Sequence, residues 1–91
     1  MRIELHRRLR KRLEKLNADE RERIAEVLRT LAGGFGHPHL HAGLGIRRLR
    51  EDLFECRVGL HWRVVFFAEK GLLTAYDVMS HDEVKTWLRS L

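Results

Sequence analysis

The 91 residues suffice for one domain and not for two, since compact domains rarely fall below about 50 residues and a chain this short buries only about 60–65% of its unfolded surface. Eighteen Lys and Arg stand against 13 Asp and Glu, a formal charge of +5, while 44% of residues are hydrophobic and one is Pro. That composition excludes a disordered tail and directs attention to anionic partners. There is no run of about 20 apolar residues, the basic start is followed by more charge, and one cysteine cannot form an internal disulfide. The expectation is a cytoplasmic protein with no membrane association.

The excess charge is uneven. Residues 1–16 hold seven Lys and Arg against two Asp and Glu, a net +5 that equals the whole chain's excess. Arg7, Arg8, Arg10, Lys11, Arg12 and Lys15 lie there, and a second basic cluster follows at Arg47, Arg48 and Arg50. Such runs are commonly solvated faces, and a clustered basic patch is also the electrostatic footprint of a nucleic-acid contact.

In chain order, Ile3 and Leu5 alternate with charged neighbours as a short strand would. Leu9, Leu13 and Leu16 then mark one apolar stripe of a helix that Asn17 ends. Asn17 with Glu20 forms a capping-box pattern, and Ile24, Val27, Leu28 and Leu31 give the next helix its buried face, with Gly33-Gly34 as its stop. Two helices joined this tightly predict a helical hairpin. Gly33 to Gly45 contains five glycines, the Pro and three histidines, and reads as a loop. His37, His39 and His41 alternate there, but no Cys, Asp or Glu accompanies them to complete a zinc site, so the expectation is a polar loop and no metal.

Beyond the loop the period changes to two. Phe54, Cys56, Val58, Trp62, Val64, Phe66, Ala68, Leu72, Thr74, Tyr76 and Val78 occupy even positions, while Glu55, Arg57, His61, Arg63 and Asp77 are odd. With turns at Gly59-Leu60 and Glu69-Lys70-Gly71, this parity describes an antiparallel meander, one face against the helices and the other open to something polar. A bulge would flip it. Cys56 falls on the apolar side as a small core residue rather than a nucleophile. Ser80 and Glu83 form a second capping box, and Val84, Trp87, Leu88 and Leu91 complete an amphipathic C-terminal helix. The fold class is therefore α+β: an N-terminal helical hairpin packed on a small antiparallel sheet, closed by a short helix.

The residues Arg48-Leu49, Leu53-Phe54-Glu55-Cys56-Arg57-Val58-Gly59, Trp62-Arg63-Val64-Val65-Phe66-Phe67 and His81-Asp82-Glu83-Val84 resemble the RelE/ParE superfamily of toxin–antitoxin toxins. The resemblance runs over almost the whole chain and implies one RelE-like domain over residues 1–91. In its RelE/YoeB-like branch it implies a ribosome-dependent mRNA endoribonuclease that inhibits translation and is neutralised by a cognate antitoxin, reaching operator DNA only through the antitoxin complex. The ParE-like alternative is an inhibitor of DNA gyrase on the same fold. A third is an inactive variant that only binds antitoxin and operator.

Metal-independent RNA cleavage uses the 2′-OH as an internal nucleophile, so it calls for a proton acceptor, cations on the phosphorane and a proton donor for the leaving oxygen, with no cofactor. Arg57 and Arg63 suit the cationic role, being odd and six residues apart across the turn. From parity alone they are equally surface arginines paired with Glu55 and Asp77. The resemblance assigns them to the phosphate and His81 to proton transfer. His81 follows Ser80 in the first helical turn, where the dipole disfavours imidazolium. Where the family often has a Tyr after this His, the sequence has Lys85, one turn on and on the same face, able to hold a leaving oxygen but not to stack on a base. Glu55 is another proton acceptor or else a salt-bridge partner. Arg47, Arg48 and Arg50, with Arg8, Lys11 and Arg12, fit a strip that contacts mRNA or ribosomal RNA.

Overall fold

The computed structural model describes residues 2–37 and 43–91. His39 and His41 of the histidine loop lie outside the described residues. The chain runs β1 (Arg2–Leu5), α1 (Arg7–Glu14), α2 (Ala18–Gly34), β2 (Arg47–Arg48), β3 (Leu53–Val58), β4 (Trp62–Glu69), β5 (Leu72–Ser80) and α3 (His81–Arg89). The strands form one sheet in the order β1-β5-β4-β3-β2.

Both capping boxes form. Asn17 accepts from Glu20 N at 2.8 Å and Ser80 from Glu83 N at 3.2 Å, while each Glu accepts from the backbone N–H of its own cap residue. These fix the starts of α2 and α3 and satisfy amides that helices otherwise leave orphaned. The cap of α1 is His6, whose Nδ1 accepts from Arg8 N. α2 ends at Gly34, where the Gly33-Gly34 pair predicts its stop, and the left-handed backbone follows at Gly36. The β4–β5 turn has Lys70 and Gly71 both at positive φ, the two-residue geometry that matches strand twist.

The even positions of β3 and β4 face the helices as predicted. Cys56, Val58, Val64 and Phe66 are buried with Leu9, Ile24, Leu28 and Leu31, and Phe35 meets Phe54 and Phe66 edge-on. Burial, and secondarily the Glu55 charge, pushes the Cys56 thiol up to about 12, so it packs as a small apolar group.

Three expectations need correction. The sheet is mixed: β1 is parallel to β5, because the chain passes through both helices and three strands before returning beside its first strand. In β5 the parity reverses. Val65 pairs with Asp77 but Phe66 pairs with Ala75, so Tyr76 is an extra residue. Before this bulge Leu73 and Ala75, not Leu72, Thr74 and Tyr76, enter the helix-facing core, and after it Val78 does. The second face is also not fully open, since α3 covers part of it and forms a smaller cluster of Val65, Met79 and Val84 with Tyr76 and Trp87 around it. Leu91 lies beyond α3 and is exposed.

The bulge has a chemical role. β1 ends at Leu5 opposite Ala75, His6 N donates to Ala75 O, and α1 then packs against β5. A sheet edge covered by a helix is protected from further pairing. At the bulge Asp77 is 2% exposed, accepts from Val78 N at 2.8 Å, and receives Arg8 at 3.5 Å and Arg12 at 3.6 Å from α1. Asp77 thus fastens α1 to the sheet, and Arg12 extends the tie to Glu83 of α3 at 3.2 Å. Removing the carboxylate takes an acceptor from the Val78 N–H and unpairs two part-exposed guanidiniums, so Asp77→Ala is expected to lower unfolding free energy by about 1–2 kcal/mol in a urea titration. A loss below about 0.5 kcal/mol would remove Asp77 from that role.

Candidate phosphate-binding cleft

In the β3–β4 register Arg57 stands directly opposite Arg63, one pair beyond the buried Cys56–Val64 pair. Their side chains project to the second face, where His81 begins α3. A cleft of about 160 Å³ is lined by Gly45, Arg47, Glu55, Arg57, Arg63 and His81. Thus the paired Arg57 and Arg63 and the more distant His81 line one cavity. Lys85, exposed one turn along α3, is not among its lining residues.

The electrostatics of the cleft are unbalanced. Glu55, 5% exposed, takes Arg47 at 3.2 Å, and its Oε1 has no hydrogen-bond partner among the described residues. The supposed pairing of Arg57 and Arg63 with Glu55 and Asp77 is therefore not formed: Arg47 occupies Glu55, and Arg8 and Arg12 occupy Asp77. Arg63 donates to the backbone oxygens of Trp62 at 3.1 Å and Leu60 at 3.5 Å, and Arg57 has no carboxylate partner among the described residues. Like charges directly opposite on an antiparallel pair oppose folding. An anion between them relieves that repulsion and accepts hydrogen bonds from both guanidiniums.

Gly45 contributes by its lack of a side chain. Its φ is +64°, and a Cβ there would lie 3.0 Å from Arg57 Nε. The glycine lets the 43–45 segment pass beside Arg57 without displacing it. Sequence reasoning counted Gly45 only as a loop residue, since nothing in the pattern placed it against β3.

His81 is set by the capping box that begins α3. The Ser80 backbone N–H, followed by the Arg12 guanidinium, holds the Glu83 carboxyl below its ordinary value despite some desolvation. Glu83 is thereby kept charged as the box and the Arg12 tie require. The remaining basic residues divide. Arg50 donates to Leu88 O at 3.0 Å and so holds the end of α3, and Arg48 lies over the Phe54 ring at 5.3 Å. Arg8 and Arg12 are tied to Asp77, while Lys11 and Arg48 are exposed. Tyr76 is not at the cleft: it stacks on Trp87 at 5.4 Å and lies under Arg8.

Neither a protein-family model nor a curated protein matches the chain. Solved structures do. A chain of the archaeal RelE–RelB complex from Pyrococcus horikoshii OT3 is similar at a TM-score of 0.71 and 19% identity, covering 87% of this chain and 92% of that one. A chain of the RelB–RelE antitoxin–toxin complex from Methanococcus jannaschii gives 0.70 and 14%, covering 91% and 95%. The isolated RelE toxin of E. coli gives 0.68 and 14%, covering 99% and 98%. At these identities the likeness is one of fold, and the chain has the RelE-like fold.

If the arginine pair is held apart from any carboxylate for an anion's sake, Arg63→Gln is expected to raise unfolding free energy in chloride by roughly 0.2–1 kcal/mol. The same substitution should reduce the extra thermal stabilisation that phosphate confers over chloride at equal ionic strength. Destabilisation in chloride with phosphate stabilisation unchanged would show that Arg63 serves the fold alone.

Proposed function

We propose that this protein is the toxin of a toxin–antitoxin pair, an endoribonuclease that cuts mRNA on the ribosome and is neutralised by a cognate antitoxin. The observation that carries the reading is that Arg57, Arg63 and His81 line one cleft beside a Glu55 oxygen with no partner among the described residues. The RelE-like fold supports it, as does the presence of RelE structures in complex with RelB among the similar structures.

In this reading the scissile phosphate enters between Arg57 and Arg63, whose charges stabilise the phosphorane as the 2′-oxygen attacks. The 2′-OH proton goes to an acceptor and the departing 5′-oxygen takes a proton from a donor. Glu55 and His81 line the same cleft and are the groups that exchange these protons, His81 as acid or base and Glu55 as a further acceptor. The cleavage leaves a 2′,3′-cyclic phosphate and a 5′-hydroxyl. Lys85 adds positive charge one turn beyond His81 and sits where solvent and RNA both reach it. Arg48 and Lys11 contact RNA backbone outside the cleft, and Arg47 and Arg50 support the cleft and α3 through Glu55 and Leu88. Arg8 and Arg12 add to the basic surface while tied to Asp77.

Induction of the protein in a bacterium, followed by mapping of mRNA 5′ ends, tests the reading. Codon-phased cuts with 5′-hydroxyl ends are expected in translated messages. His81→Ala should reduce them about 10²–10⁴-fold and Arg57→Ala or Arg63→Ala about 10²–10³-fold. Intact mRNA with gyrase–DNA cleavage complexes would replace the nuclease by a gyrase poison. No growth defect from a folded, well-expressed protein would leave an antitoxin-binding variant.

A further inference from the structure

The cleft does not end at Arg57. β2 pairs with Phe54 and Glu55, and among the described residues no strand lies beside the outer edge of β3 beyond them. Along that edge a polar hollow lined by Gly43, Leu44, Gly45, Arg57 and Gly59 shares Gly45 and Arg57 with the cleft. Gly59 in turn lines a larger hollow of about 450 Å³ between α2 and the β3–β4 turn. This volume lies within the usual range of small-molecule sites, about 300–1,000 Å³.

Besides the Glu20 carboxylate, the larger hollow is lined by one arginine, Arg23, and by mostly apolar surface. Arg23 Nη1 lies 4.0 Å from where a Cβ on Gly59 would stand, so its guanidinium is beside the passage. It has no carboxylate partner among the described residues. Nearby Glu20 is already engaged through both oxygens, by Asn17 N at 3.4 Å and by Trp62 Nε1 at 2.9 Å. That second bond fixes the indole, and the His61 ring meets it edge-on with centroids 4.5 Å apart. Leu60 at the tip of the turn is 93% exposed.

A mostly apolar wall carrying the Trp62 indole and the His61 ring, with one guanidinium at its rim and reached from a pair of arginines along the β3 edge, matches a chain of alternating phosphates and bases. Aromatic walls accept any base by stacking, and arginines track the backbone. We propose that the hollow at Arg23, His61 and Trp62 is a second nucleotide subsite. It takes the base of a single-stranded RNA nucleotide adjoining the one whose phosphate lies between Arg57 and Arg63, with Arg23 on the intervening backbone. The inference rests on the cleft being an RNA phosphate site.

The test uses the Trp87→Phe protein, in which Trp62 is the remaining indole, at low salt, with 2′-fluoro oligouridylates of two and four nucleotides that lack the attacking hydroxyl. The tetranucleotide is expected to bind about tenfold more tightly than the dinucleotide and to quench Trp62 emission. Arg23→Ala and His61→Ala should each remove most of that length advantage while leaving dinucleotide affinity unchanged, and Arg57→Ala should weaken both ligands. Equal affinity for the two lengths with Trp62 emission unmoved, while Arg57→Ala still weakens binding, would overturn the subsite and spare the phosphate cleft. No effect of Arg57→Ala on either ligand would overturn the cleft and the subsite with it.

Discussion

The register of β3 against β4 is the constraint on which the site depends. Cys56 faces Val64 and Val58 faces Trp62 on the side packed by the helices, which leaves Arg57 and Arg63 opposite each other on the second face. A slip of one residue would bury both guanidiniums and expose the core, a loss far larger than the repulsion between two half-solvated cations. The hydrophobic core therefore holds two like charges together that would otherwise separate. Their mutual repulsion is a local cost borne by the burial beneath them, and an anionic ligand recovers it.

Helices complete the arrangement from both sides. α1 covers the edge that β1 leaves open and is fastened there by Arg8 and Arg12 on Asp77. Arg12 also reaches Glu83, the acid of the box that starts α3, so the helix carrying His81 is tied to the first helix. Arg50 holds the other end of α3 through Leu88 O, and the Tyr76–Trp87 stack fills the space beneath. His81 is thus presented to the cleft by a helix supported at both ends. Net charge says little about this division of labour: several arginines of the basic clusters are structural, whereas Arg57 has no carboxylate partner among the described residues.

Much of this was legible in residue order. The period-two pattern from Phe54 to Ala68 located the core face, and both Asn17-Glu20 and Ser80-Glu83 announced helix starts through reciprocal hydrogen bonds that depend only on local spacing. Parity put Arg57 and Arg63 on one face but left them equally as partners of carboxylates, the resemblance alone assigned His81, and the convergence of the three on one cleft was not legible. Long-range geometry was less accessible. The extra residue at Tyr76 reverses the β5 pattern with no local signal beyond a polar Asp77 among apolar neighbours. The parallel pairing of β1 joins residues about seventy positions apart. The partners of Arg8, Arg12 and Arg50 depend on which surfaces the folded chain brings together, and so does the role of Gly45 beside Arg57.

In the proposed reaction Arg57, Arg63 and His81 act on one phosphorane-like anion. Uridine vanadate presents such a trigonal-bipyramidal group, and a titration followed by NMR reports on the Arg57 and Arg63 Nε–H signals and the His81 ring together. With one shared site, all three move along a single saturation curve and Arg63→Gln weakens the curve read at His81. Arginine shifts with His81 unmoved, or separate curves for the three residues, would contradict it.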